Sequence, residues 1–369
     1  MQRRTFVQAS SLAAGAVALA AEDAIPEYET VTAFRPAAQP GMPGLYPGQV
    51  VSVHAGKVID TESELVDAPT VKQMISRGMQ ALTGVKSDVE AWRKFFVPAD
   101  VVGIKVNCSG APGAMSTPDV VAEIARNLIA VGVKPEQIYV WERSQLQRGG
   151  YEKYLPQGVQ LHLAGRALDP KTYVECNFFG EEDTRSNMVA LITQKLTKII
   201  NVPNMKDHGA SGVTGCLKNI AYGSFGNVAR SHRNVKTHTL SFIGALAAVE
   251  PIRSRTVLNI MDGIRGVWHG GPFSPNKKFR FYPKELMFGT DPVAMDRLLI
   301  DIIDGKRKAE GAVSVWHHDM KHVKGGSSYS DDPNIDRFLR EPGHIEYAAK
   351  KYGLGVYDIK KIKLQRIEV

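Results

Sequence analysis

Short apolar runs and amphipathic stretches alternate along this chain from residue 50 to its end. Apolar runs bounded by turn-forming residues predict strands at 50–53, 101–106, 137–141, 198–202, 257–260, 285–288 and 362–367. Apolar residues that recur three and four positions apart predict helices at 71–82, 117–131, 216–222, 239–249, 292–303 and 345–352. Because strands and helices alternate, the pattern predicts an α/β fold with a doubly wound, mostly parallel sheet.

Two of the predicted helices begin with a capping signal. Thr117 and Asp291 each stand immediately before a proline, and a polar cap followed by proline suits the first turn of a helix. We therefore interpret Asp291 as an N-cap, with contact to a ligand as the less favoured alternative.

Composition divides the chain into parts. Residues 21–49 contain five prolines and no apolar periodicity, which predicts an extended tether on the surface of the domain. Residues 50–369 carry the α/β pattern, and their number favours two lobes with a boundary near residue 190.

The N-terminal residues have the pattern of an export signal. Arg3-Arg4 is followed by apolar residues and by the alanine-rich stretch 9–20, which ends in a small-x-small cleavage site. We therefore predict a twin-arginine signal peptide at 1–20, recognised by the twin-arginine export machinery, and a periplasmic mature protein. The stretch is too short for a membrane anchor, so no transmembrane segment is expected after cleavage. Because this pathway carries folded proteins, export also hints at a cofactor loaded beforehand.

Composition and charge narrow the function classes. With 43% hydrophobic and 23% charged residues, the chain is expected to be globular. The net charge of +8 comes from scattered basic residues without a Lys/Arg block, so no nucleic-acid partner is predicted. Cys108, Cys176 and Cys216 are far apart, which predicts no iron–sulfur cluster and no structural zinc site. One disulfide and three buried thiols both stay open as interpretations.

Polar residues follow several predicted strands. Lys105 and Asn107 lie at the end of the second strand, Asn204 and Lys206 follow the fourth, and Asp262 follows the fifth. Because ligands of open α/β sheets bind beyond the carboxyl ends of the strands, these side chains are candidates for one binding cleft. An aspartate before a glycine, as at Asp262, also forms turns, which is the plain alternative.

A glycine-rich loop lies between the fourth strand and the next helix. Residues 201–219 read NVPNMKDHGASGVTGCLKN. Gly209, Gly212 and Gly215 would let backbone N–H groups approach an anion at the N-terminus of the helix. The loop fits neither of the usual nucleotide-binding glycine patterns, and close packing of the helix on the sheet explains its glycines equally well.

Four side chains in and after this loop are candidates for chemistry. His208 has a side chain that can shuttle protons or ligate a metal near neutral pH, and His232 is the candidate metal ligand. The Lys218 amine can hold an anion or form a covalent link to a cofactor, and Asn219 lies next to it. A histidine bonded to a backbone carbonyl and a lysine on a solvated helix face are the alternatives.

These segments together resemble a bacterial family. VVGIKVN from Val101, the loop at 201–219, SHRN from Ser231, DGIRG from Asp262 and GTDPVAMD from Gly289 occur in the order of the family called "domain of unknown function 362". The resemblance covers most of the chain from about residue 50 to the end. Some members carry an appended ferredoxin-like segment that this sequence does not contain, in agreement with its few cysteines.

A more distant similarity involves nickel-pincer lactate racemase. His208 and Lys218 fit the first and last positions of its signature H-x-x-x-G-x-S-G-G-x-K. The resemblance implies that Lys218 would carry the pincer nucleotide, that His208 would shuttle a proton and that His232 would ligate nickel. The Gly-Thr-His-Arg run of that family is replaced here by Trp141-Glu142-Arg143-Ser144, and the signature's Ser-Gly-Gly is altered. The second acid/base of the racemase therefore has no counterpart in this chain.

These residues favour an enzyme that acts on a small anionic molecule by isomerase or redox chemistry, because basic side chains suit a carboxylate or a phosphate. The predicted site has catalytic His208 and Lys218, the ligand-binding residues Lys105, Asn107, Asn204, Lys206, Asp262 and Asn219, and the metal ligand His232. The cofactor is left open between a metal ion and a group linked to a lysine. The alternative function is a non-catalytic periplasmic factor that binds a ligand, a metal or a partner protein.

Overall fold

The computed structural model describes residues 25–39, 41–273, 276–325 and 330–369. The predicted signal peptide at 1–20 lies outside the described residues, as do residues 21–24 and Pro40 of the predicted tether.

The described chain alternates between strands and helices. The strands are β1 (Glu29–Val31), β2 (Gln49–His54), β3 (Val102–Lys105), β4 (Ile138–Glu142), β5 (Gln160–Leu163), β6 (Leu168–Glu175), β7 (Arg185–Val189), β8 (Lys198–Asn201), β9 (Asn204–His208), β10 (Gly212–Val213), β11 (Thr256–Val267), β12 (Arg280–Phe281), β13 (Glu285–Gly289) and β14 (Lys363–Glu368). The helices are α1 (Ala68–Thr83), α2 (Asp88–Arg93), α3 (Pro118–Ala130), α4 (Ala190–Gln194), α5 (Gly215–Gly223), α6 (Thr239–Ala247), α7 (Ile252–Arg255), α8 (Pro292–Ala309) and α9 (His344–Tyr352).

The main sheet has the strand order β14-β2-β13-β11-β8-β3-β4-β5. Strand β13 is antiparallel to its neighbours β2 and β11, and the other pairs in this order are parallel. The predicted mostly parallel α/β sheet is therefore confirmed.

Apolar cores lie on both faces of this sheet. Helices α1, α2 and α3 cover one core, which contains Trp92, while α5, α6, α8 and α9 cover the other, which contains Phe242. Successive strand residues alternate between the two cores, as Ile199 and Ile200 of β8 do. A sheet buried on both faces by helices is the doubly wound arrangement that the sequence predicted.

A second, smaller sheet has the order β1-β6-β7 and is antiparallel. Strand β1 lies inside the predicted tether, where Thr30 pairs with Val174 of β6. The sequence pattern missed β6 because exposed polar residues and Pro170 interrupt any apolar alternation along it. Strands β6 and β7 of this sheet lie just before residue 190, near which the sequence predicts a lobe boundary.

Two predicted elements differ from the structure around the glycine-rich loop. Asp262 and Gly263 have the chemistry of a turn in the sequence, but strand β11 continues through them. It does so because β9, β12 and β13 pair with it along its length. The segment predicted as a loop after β8 forms the antiparallel hairpin β9–β10, in which Gly212 pairs with His208.

The N-terminus of α5 is capped from a distant helix. The Asp296 carboxylate of α8 accepts hydrogen bonds from the backbone N–H of Cys216 (2.5 Å) and Leu217 (2.9 Å). Gly215 has a φ of +55°, and a Cβ at this position would lie 2.3 Å from Asp296 Oδ1. The helix end that the sequence offered to an external anion is therefore already bonded to a carboxylate of the protein.

The N-cap prediction for Asp291 is confirmed, since its side chain accepts a hydrogen bond from the Ala294 N–H at 2.9 Å. The three cysteines are buried free thiols. None of the helices in the described ranges combines the length and the apolar character that crossing a membrane requires.

We expect Gly215→Ala to destabilise the protein by about 2 kcal/mol or more, because the new methyl group needs a strained φ and collides with Asp296. Urea unfolding monitored by circular dichroism measures the change. Gly305→Ala is the matched control, because Gly305 lies in exposed helix and has no atom within 4 Å of an added Cβ. A Gly215→Ala variant as stable as the control would contradict the packing described here.

Candidate functional site

A cavity of about 520 Å³ opens at the carboxyl edge of the main sheet. Residues that end or follow β3 and β4 form one side, and the β9–β10 hairpin and α5 form another. The cavity is lined by Lys105, Asn107, Ser109, Glu142, Arg143, Ser144, His208, Thr214, Lys218, Asn219, Tyr222, Gly223, Val228, Ala229, His232, Arg233, Pro272, Phe273, Arg337 and Phe338.

The Lys105 amine is held by the protein at the base of this cavity. Its Nζ lies 3.0 Å from Glu142 Oε2 and 3.2 Å from Asn219 Oδ1, and the side chain is 1% exposed. Burial lowers the pKa of Lys105, and the Glu142 carboxylate opposes that shift. Helix α5 crosses this lysine so closely that a Cβ on Gly223 would lie 2.0 Å from Lys105 Cε.

A chain of buried asparagines connects the cavity to the centre of the sheet. Asn107 Nδ2 donates to Asn219 Oδ1 (3.0 Å), Asn219 Nδ2 donates to Asn201 Oδ1 (2.8 Å), and Asn201 Nδ2 donates to Asn259 Oδ1 (2.9 Å). These bonds fix the orientation of each amide group. Asn107 Oδ1 is buried and has no hydrogen-bond partner among the described residues, so a donor on a bound molecule could complete it.

Lys218 differs from Lys105 because its amine is not bonded to the protein. Its Nζ lies 4.0 Å from the centre of the Tyr222 ring, one turn along α5, and the residue is 7% exposed. Within the described ranges, Nζ has neither a hydrogen-bond acceptor nor a carboxylate partner. Burial first, and then the charges of Arg143 and Lys206, lower the pKa of Lys218 to about 7.

The ring of His208 is fixed by its own hairpin. Nδ1 accepts hydrogen bonds from the backbone N–H of Ala210 (3.0 Å) and Ser211 (3.3 Å). Because an accepting ring nitrogen carries no proton, this network assigns the proton of neutral His208 to Nε2. Burial and the positive charge of Lys218 hold the pKa of His208 well below its usual value. His208 therefore offers an N–H donor to the cavity.

His232 has the opposite proton arrangement. The Ser231 hydroxyl lies within hydrogen-bond distance of the Val228 carbonyl (2.9 Å), the Tyr222 hydroxyl (2.8 Å) and His232 Nδ1 (3.0 Å). We assign its one proton to the carbonyl, which can only accept, so that Tyr222 and His232 Nδ1 donate to the serine oxygen. Nδ1 of His232 then carries the proton, and Nε2 is a lone-pair base. That Nε2 is buried without a partner in the described part of the chain, and the rings of His232 and His208 are 5.4 Å apart.

A buried ion-pair network supports the hairpin behind His208. Asp207 Oδ1 accepts from the Gly271 N–H at 2.7 Å, and Asp207 Oδ2 lies 3.3 Å from the Arg340 guanidinium. Arg340 also bonds to the carboxylate of Asp336 at 2.6 Å and donates to the His208 carbonyl at 3.4 Å. Both charges of the Asp207–Arg340 pair are fully buried, so they fix the backbone from which the His208 ring projects.

The cavity lining carries a surplus of positive charge. Its basic side chains are Lys105, Arg143, Lys218, Arg233 and Arg337. Glu142 is the carboxylate of the lining and is already paired with Lys105. An anionic group is therefore the ligand chemistry that this lining favours.

The structure brings six of the nine predicted site residues to this cavity: Lys105, Asn107, His208, Lys218, Asn219 and His232. It places Lys206 elsewhere, although burial lowers the pKa of this lysine also to about 7. The Lys206 amine donates to the backbone carbonyls of Ser109 and Ala114 (3.2 Å for Ala114), and so holds the loop after β3.

Asn204 and Asp262 also lie away from the lining. Asn204 Nδ2 donates to the carbonyls of Asp262 (3.1 Å) and Arg265 (2.8 Å). Asp262 Oδ2 accepts from the Thr117 N–H at 2.6 Å, directly before α3. Both side chains therefore hold the protein backbone in place.

Several lining residues were not among the predicted site residues. Arg143 directly follows β4, so its position at a strand end was a usable signal, and its Nε donates to the Tyr222 carbonyl at 3.1 Å. Arg337 and Phe338 reach the cavity from a segment that lies far along the chain. The sequence around these two residues does not predict their position at the cavity, because that position depends on the ion pair that Arg340 makes with the distant Asp207.

A metal site is not formed by the described side chains alone, since no group of three or more His, Cys, Asp or Glu residues among them has a suitable arrangement. The free Nε2 of His232 could supply one ligand, and a bound molecule would have to supply others.

Fold and cavity define an α/β protein with a basic, histidine-containing cavity at the carboxyl edge of its sheet. The chain belongs to the family described as "Domain of unknown function (DUF362)", whose model matches residues 102–301, more than half of the chain. The match spans every predicted site residue. No curated protein matches the chain.

We expect Lys218→Met to stabilise the protein at pH 6 by about 2–5 kcal/mol, because it removes a buried cation that has no partner in the described structure. The pKa of Lys218 in the folded protein, about 7, lies below the ordinary lysine pKa of 10.5. Stability is therefore lost as pH falls from about 10.5 to about 7, stays constant below 7, and carries no penalty above about pH 10.5. The gain of the variant should therefore shrink between pH 7 and pH 10, as measured by urea unfolding.

Lys206→Met is the matched control, because its amine is equally buried but bonded to carbonyls. We expect it to be about 2 kcal/mol or more less stable than Lys218→Met at each pH, since two buried carbonyls lose their donor. Equal losses of stability in both variants would mean that Lys218 has a structural role.

Proposed function

We propose that this chain is an enzyme that binds a small anionic molecule, a carboxylate or a phosphate, in the cavity and moves a proton on it. The observation that carries this proposal is the buried amine of Lys218, which has no hydrogen-bond or ion-pair partner among the described residues. It shares one cavity with two histidines whose protons we assign to opposite ring nitrogens. A buried cation costs free energy in the empty protein, and a bound anion would remove that cost.

Binding follows from the charge of the lining. Lys218, Arg143 and Arg337 would hold the anionic group, and arginine forks suit the paired oxygens of carboxylate and phosphate. Asn107 Oδ1 would accept a hydrogen bond from a hydroxyl or amine on the same molecule. A small acid with a polar neighbouring group therefore matches the cavity in charge and in hydrogen bonding.

The two histidines support isomerase chemistry. His232 Nε2 can remove a proton from the bound molecule and return it, and His208 Nε2–H can donate a hydrogen bond to the oxygen on which negative charge develops. The rings lie 5.4 Å apart and both stay neutral near pH 7 because burial lowers the pKa of each. A neutral base beside a neutral hydrogen-bond donor in one cavity would let a proton leave the bound molecule and return to it without a change in the net charge of the site.

Redox chemistry with a loaded cofactor is the second enzymatic route, and the distant resemblance to lactate racemase supports it. In that case Lys218 would carry the cofactor, or His232 would contribute to a metal ion. A binding or assembly factor remains the non-catalytic alternative, because the same surplus of charge would capture an anion without turnover.

We expect malonate and inorganic phosphate to bind the wild-type protein in isothermal titration calorimetry. Lys218→Met should weaken malonate binding about tenfold or more, because the amine is an uncompensated cation of the lining. Lys350→Met is the control, since Lys350 is exposed on α9 and paired with Glu346. The absence of binding for both probes, or an equal loss in both variants, would overturn the proposal.

The same proteins separate an enzyme from a binding factor. His208→Ala should bind malonate within about threefold of wild type, because its neutral ring contributes little charge. Proton NMR in D₂O measures exchange of the C2 proton of lactate, malate and glycerate by the wild-type protein. His208→Ala should slow that exchange about a hundredfold or more, because its hydrogen bond to the developing negative charge is lost. Binding without exchange of any of the three probes would favour the binding factor.

We also propose that the chain is exported to the periplasm by the twin-arginine machinery, on the support of Arg3-Arg4 and the apolar residues that follow. Changing both arginines to lysine should leave the protein uncleaved in the cytoplasm of the producing cell, as cell fractionation and immunoblotting measure. Lys57→Arg, outside the signal, is the control. Unchanged export of the double variant would refute this assignment.

A further inference from the structure

We propose that the Lys218 amine forms an imine with the carbonyl carbon of an oxo acid bound in the cavity. This inference rests on the proposed function, because the carboxylate of such an acid would be the anionic group that the lining holds. It narrows the substrate class from small anions in general to acids with a carbonyl group next to or near the carboxylate.

The first support is that, of the three buried lysines in the described structure, Lys218 is the one whose amine makes no hydrogen bond or ion pair there. The described structure bonds the amine of Lys105 to Glu142 and Asn219, and that of Lys206 to backbone carbonyls. Lys218 has the aromatic face of Tyr222 beside it and the cavity in front of it. A desolvated amine with a lowered pKa is deprotonated in part near neutral pH, and its free lone pair then makes it a nucleophile.

The second support is that the cavity can handle the protons of the reaction. The neutral amine attacks the carbonyl carbon, a C–N bond forms, and the electron pair of the C=O bond moves to oxygen. One amine proton and one proton from solvent leave with this oxygen as water, so a protonated C=N bond replaces C=O without oxidation or reduction. His232 Nε2 can take the proton from the amine and pass it to the departing oxygen, to which His208 Nε2–H can donate a hydrogen bond.

The third support is that the imine would serve the proton transfer proposed above. A protonated imine withdraws electrons from the neighbouring carbon and so acidifies its C–H bond. His232 Nε2, which has no partner in the described structure, could then accept that proton. The cationic imine would keep the contact with the Tyr222 ring that the ammonium group has now.

Reductive trapping tests the inference on the full-length protein. Wild type is incubated with pyruvate or 2-oxoglutarate and sodium cyanoborohydride, and the adduct is located by peptide mass spectrometry. We expect one adduct on Lys218, with none on Lys206, whose pKa is equally low. Labelling should rise with pH around a midpoint near 7, the pKa of the Lys218 amine.

Lys218→Arg is the second protein in this experiment, because it keeps the charge but cannot form an imine. It should lose the adduct but bind malonate more tightly than Lys218→Met does, because it keeps a cation in the lining. A wild-type protein that binds malonate but gives no adduct on Lys218, or labels surface lysines equally, overturns the imine and leaves the proposed function standing. Failure of both malonate binding and labelling overturns the proposed function as well.

Discussion

The carboxylate of Asp296 holds the N-terminus of α5 against helix α8, and the cavity depends on that contact. Two backbone N–H groups of the first turn of α5 donate to this carboxylate. The carboxylate fits there because Gly215 has no side chain. Burial raises the pKa of Asp296 to about 7, while the two N–H groups favour its charged form. With its start fixed, α5 presents Lys218, Asn219 and Tyr222 on the side that faces the cavity.

The buried lysines around this helix show how one residue type serves structure and chemistry in the same protein. Lys105 and Lys206 each satisfy acceptors that would otherwise be buried without a donor. Lys218 donates to no acceptor in the described chain. Burying its amine therefore lowers the stability of the fold, and no hydrogen bond within the described residues offsets that loss. Proteins retain such costs at functional sites, where local stability and activity conflict.

Much of the fold could be predicted from the sequence, because its central strands are apolar runs and its helices have apolar stripes. The antiparallel β13 and the hairpin β9–β10 could not, since strand direction and pairing depend on partners far along the chain. Strand β11 was predicted too short because Asp262-Gly263 has turn chemistry, which the pairing with three neighbours overrides.

The part of the candidate site that is formed by residues close together in the sequence could be predicted, whereas the part that depends on tertiary contacts could not. His208, Lys218 and Asn219 lie in one strand–loop–helix unit, so local sequence is enough to place them together. Asn204 and Asp262 follow apolar runs in the sequence, which made them look like ligand-binding residues at strand ends, yet they bond to backbone groups that the sequence does not reveal. Arg337 and Phe338 belong to the lining through tertiary contacts alone.

The ion pairs of Arg340 have a consequence for the synthesis of the protein. Arg340 is 132 residues beyond the His208 carbonyl to which it donates, and its own segment supplies Arg337 and Phe338 to the lining. On the ribosome, the hairpin that carries His208 emerges long before these residues, and during that interval the Asp207 carboxylate has no arginine partner from this segment. Co-translational folding can therefore pair the strands from β2 to β13 of the main sheet but cannot complete the cavity. Any molecule that the cavity recognises must be acquired after nearly the whole chain has been made.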